Sequence, residues 1–145
     1  MENKYSKEEM LVITSKVINY LDQWQLQAEE MMIILGIPEV KPRHLPKYRK
    51  METALPQTDE IFSRIDHIVG IADALRTTYP FSDKMRVMWL RKPHRRFRKN
   101  TPLSMILKEG VDGLMRVRVE VDCAYGWAIG DAMNAATKAA AASKS

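Results

Sequence analysis

Apolar residues recur at helical spacing along most of this chain. Met10, Ile13, Val17, Leu21 and Trp24 step by three and four residues along one helical face. Ser6 followed by Glu9 supplies a capping-box pattern at the start of that helix. A shorter helix is predicted through Ala28, Met31, Met32 and Leu35, stopped by Gly36 and Pro38. Proline fits the first turn of a helix and breaks its interior, so Pro42 and Pro46 place the start of a third helix near Pro46. The clearest run spans 58–79, where Ile61, Ile65, Ile68, Ala72, Leu75 and Tyr79 form one face and Pro80 ends it. Ser82 can cap the next helix, through Met85, Met88, Trp89 and Leu90. Thr101-Pro102 opens another, carrying Leu103, Ile106 and Leu107 up to Gly110.

Two segments admit more than one reading. Residues 116–121 alternate strictly, as a half-buried strand would, yet Leu114, Val117, Val121, Ala124 and Ala128 also share a helical face. A lone strand is unstable and no pairing candidate lies nearby, which favours helix. The alanine-rich tail, Ala132 to Ser145, has few apolar anchors. It frays, extends the preceding helix or orders on a partner. The expected fold class is all-α, with a helix-turn-helix unit packed on a C-terminal helical domain. The expected divisions are 1–56 for the helix-turn-helix unit, 57–82 for a connecting core helix, 83–128 for a binding domain and 129–145 for the tail.

Composition narrows the function classes. An apolar fraction of 46% over 145 residues suits one compact domain or two small helical subdomains. No apolar run approaches the roughly 20 residues of a membrane span, and the acidic, polar start from Met1 to Glu9 does not read as a signal peptide. A single cysteine, Cys123, suits a reducing compartment. No membrane partner and a cytoplasmic location are therefore expected. The net charge of +5 is unevenly placed. Residues 41–50 (KPRHLPKYRK) hold five cations and no acid, and residues 84–108 hold nine cations and no acid. Two concentrated basic segments on an otherwise slightly acidic chain point to anionic partners or surfaces.

Catalysis finds little support. His44 and His94 lie inside the basic stretches, and His67 has no neighbouring Cys or second His. No metal-ligand spacing, glycine-rich phosphate loop or nucleophile motif is present, and Cys123 sits between Asp122 and Ala124 with no adjacent cation to activate it. No catalytic residue, metal or cofactor is expected. The first three predicted helices read as a helix-turn-helix, with Lys41, Arg43, His44, Lys47, Tyr48, Arg49 and Lys50 as DNA-contact candidates. The plainer alternative is a solvated loop, since charge runs usually are. The second basic stretch follows a helix ending in Trp89-Leu90-Arg91 and runs to Thr101-Pro102-Leu103 with Phe97 inside it. Such a loop could bind nucleic acid, a phosphate-rich ligand or an acidic protein surface.

The segment Trp89 to Ala128 resembles the toxin-binding domain of the Xre/MbcA/ParS antitoxin family. The resemblance rests on Trp89-Leu90, Phe97, Asn100, Thr101-Pro102-Leu103, Gly110 and Gly126-Trp127-Ala128, with a looser similarity in the segment WQLQAEEMMIILGI that begins at Trp24. The loop here is more basic than that family's pattern, and the alanine-rich extension has no counterpart in it. The resemblance implies a dimeric, cytoplasmic antitoxin that covers the active-site cleft of a RES-type, NAD-consuming toxin and commonly represses its own operon. It implies toxin contact by Trp89, Arg91, Arg95, Phe97, Arg98, Asn100, Tyr125 and Trp127. The competing expectation is a stand-alone DNA-binding transcriptional regulator, with both basic stretches facing phosphate.

Overall fold

The computed structural model describes residues 3–143, with side chains described except at 124–132, 134–135 and 142–143. Among the described residues the fold is all-α, as expected, and contains no strand. The helices are α1 (Lys7–Gln23), α2 (Ala28–Leu35), α3 (Leu45–Arg49), α4 (Asp59–Thr78), α5 (Asp83–Arg91), α6 (Pro102–Glu109) and α7 (Val111–Ser143). Short 3-10 turns at Pro42–His44 and Arg95–Phe97 precede α3 and α6.

Local chemistry sets most of the boundaries. Ser6 and Glu9 close the predicted capping box, while Thr58, Ser82 and Thr101 each accept a hydrogen bond from the backbone amide three residues on. Gly36 ends α2 in the left-handed region, at φ 84°. The alternating segment 116–121 is helical, because Leu114, Val117 and Val121 are fully buried along one face of α7. As far as Ser143, the alanine-rich tail extends that same helix.

The core is continuous from Met10 to Val121. α4 lies at its centre, touching α1, α2 and α7, while α6 packs against α2, α5 and α7. Ile18, Leu21, Ile34, Leu35, Ile68, Ile71, Leu75, Leu90, Ile106 and Leu114 are all essentially fully buried. Each such aliphatic side chain contributes roughly 1.5–3 kcal/mol relative to exposure. Close approach of α6 and α7 requires Gly113, where a Cβ would lie 2.2 Å from the carbonyl oxygen of Met105. The buried hydroxyl of Thr14 is satisfied twice. It donates to the Met10 carbonyl (2.7 Å) and accepts from the Leu55 amide (2.9 Å), which pins the segment after α3 against α1.

Two arginines cross-link the helices around α4. Arg64 of α4 donates from Nη1 to the carbonyls of Ile33 and Ile34 (3.3 and 3.1 Å) in the last turn of α2, and from Nη2 to Glu60 (3.2 Å). Its chain is wedged beside Gly36 and Gly110, where a Cβ would stand 2.7 Å from Arg64 Cδ and 3.2 Å from Arg64 Nη2 respectively. Arg118 of α7 lies over Gly70 of α4 and donates from Nη1 to Asp66 Oδ2 (2.9 Å) and to His67 Nδ1 (3.3 Å).

Both links can be tested. Arg64→Met keeps the apolar stem but orphans the α2 carbonyls, and should lower stability by about 1–3 kcal/mol in urea denaturation; an unchanged midpoint would remove Arg64 from the set of stabilising contacts. His67 titrates below its ordinary value of 6.5, first because it is half-buried and second because Arg118 faces it, with Asp66 partly opposing. A depressed histidine pKa means the unfolded chain binds the proton more readily. The stability tied to neutral His67 is therefore complete above about pH 6.5 and is lost as pH falls from there to the folded-state value. The melting temperature of the native chain should accordingly fall more steeply below that pH than that of His67→Gln, and parallel curves would contradict the assignment.

Candidate partner-binding surface

The second basic stretch folds as a closed loop braced from inside. α5 buries Val87, Trp89 and Leu90 and ends at Arg91. Beyond it, the His94 amide donates to the Asn100 carbonyl (3.1 Å), while the amides of Phe97 and Lys99 both donate to the His94 carbonyl (3.0 and 3.1 Å). Asn100 returns two hydrogen bonds to the Phe97 carbonyl, one from its backbone amide and one from Nδ2, each 2.9 Å. The His94 ring packs at 4.8 Å against Trp89, tilted by 47°, and meets Phe97 edge-on at 6.1 Å, with Nε2 3.0 Å from the Trp89 carbonyl. Trp89, His94 and Phe97 thus form an aromatic brace under the loop.

This arrangement revises several sequence expectations. Phe97 is only 4% exposed and Trp89 6%, so both aromatics support the loop from the core rather than present its surface. The reason is packing: Phe97 is the sole large apolar side chain of the stretch 91–100 able to close the core between α5 and α6. Asn100 uses its amide group for loop closure. The guanidinium of Arg91 turns back to the α1–α2 turn, where Nη2 donates to the Gln25 carbonyl at 2.6 Å. Arg95 and Arg98 do point outward, along with Lys92 and Lys99. Arg96 stands 3.8 Å from Glu120, a mostly buried carboxylate on α7 that no motif in the chain marks out. Tyr125 and Trp127 lie outside the residues whose side chains are described.

Backbone strain is concentrated in the same loop. Arg98 and Lys99 are consecutive non-glycine residues in the left-handed region, at φ 52° and 68°. Each such residue costs about 1 kcal/mol or more, and such costs cluster at sites of function. This backbone sets where the Arg98 and Lys99 side chains leave the loop.

The first basic segment is a short, partly pinned ridge. α3 has five residues, little more than one turn, after the 3-10 turn at Pro42–His44. Pro42 and Pro46 lack the amides that a longer helix would need. Tyr48 is buried at 8% exposure beside Leu45, three residues away on the same face, and therefore serves the core instead of a DNA groove. Arg49 forms a two-pronged ion pair with Asp22 of α1, through Nε at 3.0 Å and Nη2 at 2.9 Å. Lys41, Arg43, Lys47 and Lys50 are exposed, and His44 is half-buried. An open depression of about 650 Å³ lies at the α1–α2 turn, lined by Gln25, Gln27, Glu29, Glu30 and Arg91. Among the described residues no cluster of three or more His, Cys, Asp or Glu side chains could hold a metal ion.

Residues 74–125, from the last turns of α4 through the braced loop and α6 into α7, match the family described as the antitoxin Xre/MbcA/ParS C-terminal toxin-binding domain. The fold is similar to that of one chain in the crystal structure of the M. tuberculosis MbcT-MbcA toxin-antitoxin complex. That likeness has a TM-score of 0.55 at 18% sequence identity and covers 79% of this chain and 95% of that one. No curated protein sequence matches the chain.

The strain in the loop yields a test. Arg98→Gly relieves the left-handed backbone and should leave stability equal or raise it by up to about 1 kcal/mol, while weakening whatever the loop binds. A thermal melt that instead shows clear destabilisation would mean that the Arg98 side chain holds the fold.

Proposed function

We propose that the chain is the antitoxin of a toxin–antitoxin pair, because residues 74–125 match the Xre/MbcA/ParS C-terminal toxin-binding domain. The observation that carries the reading is the coincidence of that domain with the braced, strained, outward-facing basic loop. The family resemblance supports a RES-type, NAD-consuming toxin as the partner, covered at its active-site cleft. Arg95 and Arg98 are the direct contacts from the loop, Arg91 sets its base, and Trp89, Phe97 and Asn100 hold its shape. Tyr125 and Trp127 on α7 belong to the same contact through the family pattern. The antitoxin has no catalytic role of its own and uses no cofactor.

The reading includes repression of its own operon by a homodimer in the cytoplasm. The exposed cations Lys41, Arg43, Lys47 and Lys50, with His44 beside them, support the DNA-contacting part through attraction to phosphate. Tyr48 and Arg49 position that ridge, since one is buried and the other is held by Asp22. Among the described residues no helix is long and apolar enough to cross a membrane.

The deciding experiment is co-expression with the product of the adjacent reading frame. The native chain should relieve its toxicity and co-purify with it. Arg95→Ala/Arg98→Ala should weaken that association by on the order of tenfold or more at unchanged thermal stability. A native chain that neither protects nor co-purifies would overturn the antitoxin reading.

A further inference from the structure

An open cavity of about 200 Å³ lies beside the braced loop, lined by Tyr79, Met85, Met88, Trp89, Lys92 and His94. Met85 and Met88, three residues apart on α5, are both exposed, so the cavity opens to solvent along an apolar edge. Phe81 sits in the connection between two of the lining residues, with its Cα at most about 7 Å from that of Tyr79. Its side chain is fully exposed, more so than any other large apolar side chain among the described residues. The connection that carries it is tied down. Arg86 donates from Nε to the Tyr79 carbonyl and from Nη2 to the Pro80 carbonyl, each at 2.9 Å, and from Nη1 to Asp83 Oδ1 at 2.7 Å. Phe81 is thus held out in water by a fixed stretch of backbone. An exposed apolar patch with a polar rim marks a contact surface.

Size and shape limit what fills the cavity. An apolar cavity of about 150 Å³ holds one benzene ring, so this one suits a single large apolar side chain. A duplex has no such knob to offer, and a bilayer takes up protrusions without filling hollows. Charge limits the occupant further. Lys92 lines the cavity, Lys84 precedes Met85, and residues 84–108 carry nine cations and no acid. Asp83, just before them, is paired with Arg86. A second copy docked face to face would set these cations against themselves, whereas an acidic protein surface would meet them favourably. The cavity is also continuous with the basic loop. His94 forms part of its wall, and the His94 carbonyl holds the amides of Phe97 and Lys99. We propose that the cavity is the anchor site for the toxin, receiving one apolar side chain that is flanked by carboxylates, with Phe81 packing at the rim. Apolar groups seated in a pocket dominate interface energies, while exposed charges around them chiefly guide encounter. The inference rests on the antitoxin reading and assigns that reading its principal contact.

The test follows association and dissociation of the full chain with the immobilised product of the adjacent reading frame, over a series of salt concentrations. Phe81→Ala/Met85→Ala/Met88→Ala should lower affinity about thirtyfold or more, through faster dissociation and with the native salt dependence kept. Lys84→Ala/Lys92→Ala should instead slow association and flatten the salt dependence. If the alanine triple variant melts below the native chain, Phe81→Ser alone decides, because a fully exposed side chain supports no packing. That single change should weaken binding about fivefold or more. Native affinity in the deciding variant overturns the inference, even if Arg95→Ala/Arg98→Ala weakens binding. Loss of self-association, or of binding to phosphatidylserine vesicles, in that variant would then assign the patch to a second copy or to a bilayer. Unchanged salt dependence in the lysine double variant overturns the acidic flank. A native chain that does not bind the product overturns the antitoxin reading and this inference together.

Discussion

The guanidinium of Arg64 is the constraint on which the two halves of the molecule depend. It satisfies carbonyls at the C-terminal end of α2, where a helix concentrates unpaired acceptors and partial negative charge. It does so from α4, and it lies against the α6–α7 corner at Gly110. Burying a guanidinium carries a desolvation cost, made worse here because Arg64 Nε has no hydrogen-bond partner among the described residues. That cost is tolerated because no aliphatic side chain could cap α2 and reach the corner at once. The two glycines beside it are necessary twice over, since both adopt positive φ and a Cβ on either would crowd the Arg64 side chain.

Arg118 repeats the device on the other side of α4. It lies across Gly70, where a Cβ would come within 2.4 Å of its Nε, and it links α7 to Asp66 and His67. With both links in place, α4 holds α2 on one flank and α7 on another. α6 is then set by its close crossing with α7 at Gly113, and α5 by the aromatic brace that continues from Trp89. The surface loop consequently inherits its position from buried contacts, and this is why consecutive left-handed residues can persist at Arg98 and Lys99. A loop held this way meets a partner with little ordering left to do.

Most of the helical framework was legible in the chain. The caps at Ser6, Thr58, Ser82 and Thr101 and the stop at Gly36 act through neighbouring backbone groups, so spacing alone reveals them. The candidate site was legible only in outline. Charge density marked the segments 41–50 and 84–108, and the pattern around Trp89 and Thr101-Pro102-Leu103 marked the domain. Which members face outward was not legible, because an aromatic within a basic run can serve a partner or a core equally well. Tyr48 was the exception that could have been found, since Leu45 lies three residues before it on the same helical face.

The sequence by itself determined that this is an all-α protein with two cationic segments, because helix periodicity, capping and charge are properties of neighbours in the chain. The lack of a pairing strand already favoured helix for 116–121, and the tertiary structure settles it, since α4 and α6 cover one face. Only the tertiary structure put Phe97 and Trp89 beneath the loop, Arg64 between two glycines, and Arg49 and Arg91 at the same turn. These placements depend on residues far apart in the chain, 66 positions for Arg91 and Gln25. Burial and hydrogen bonding over such separations act through space and leave no local signature.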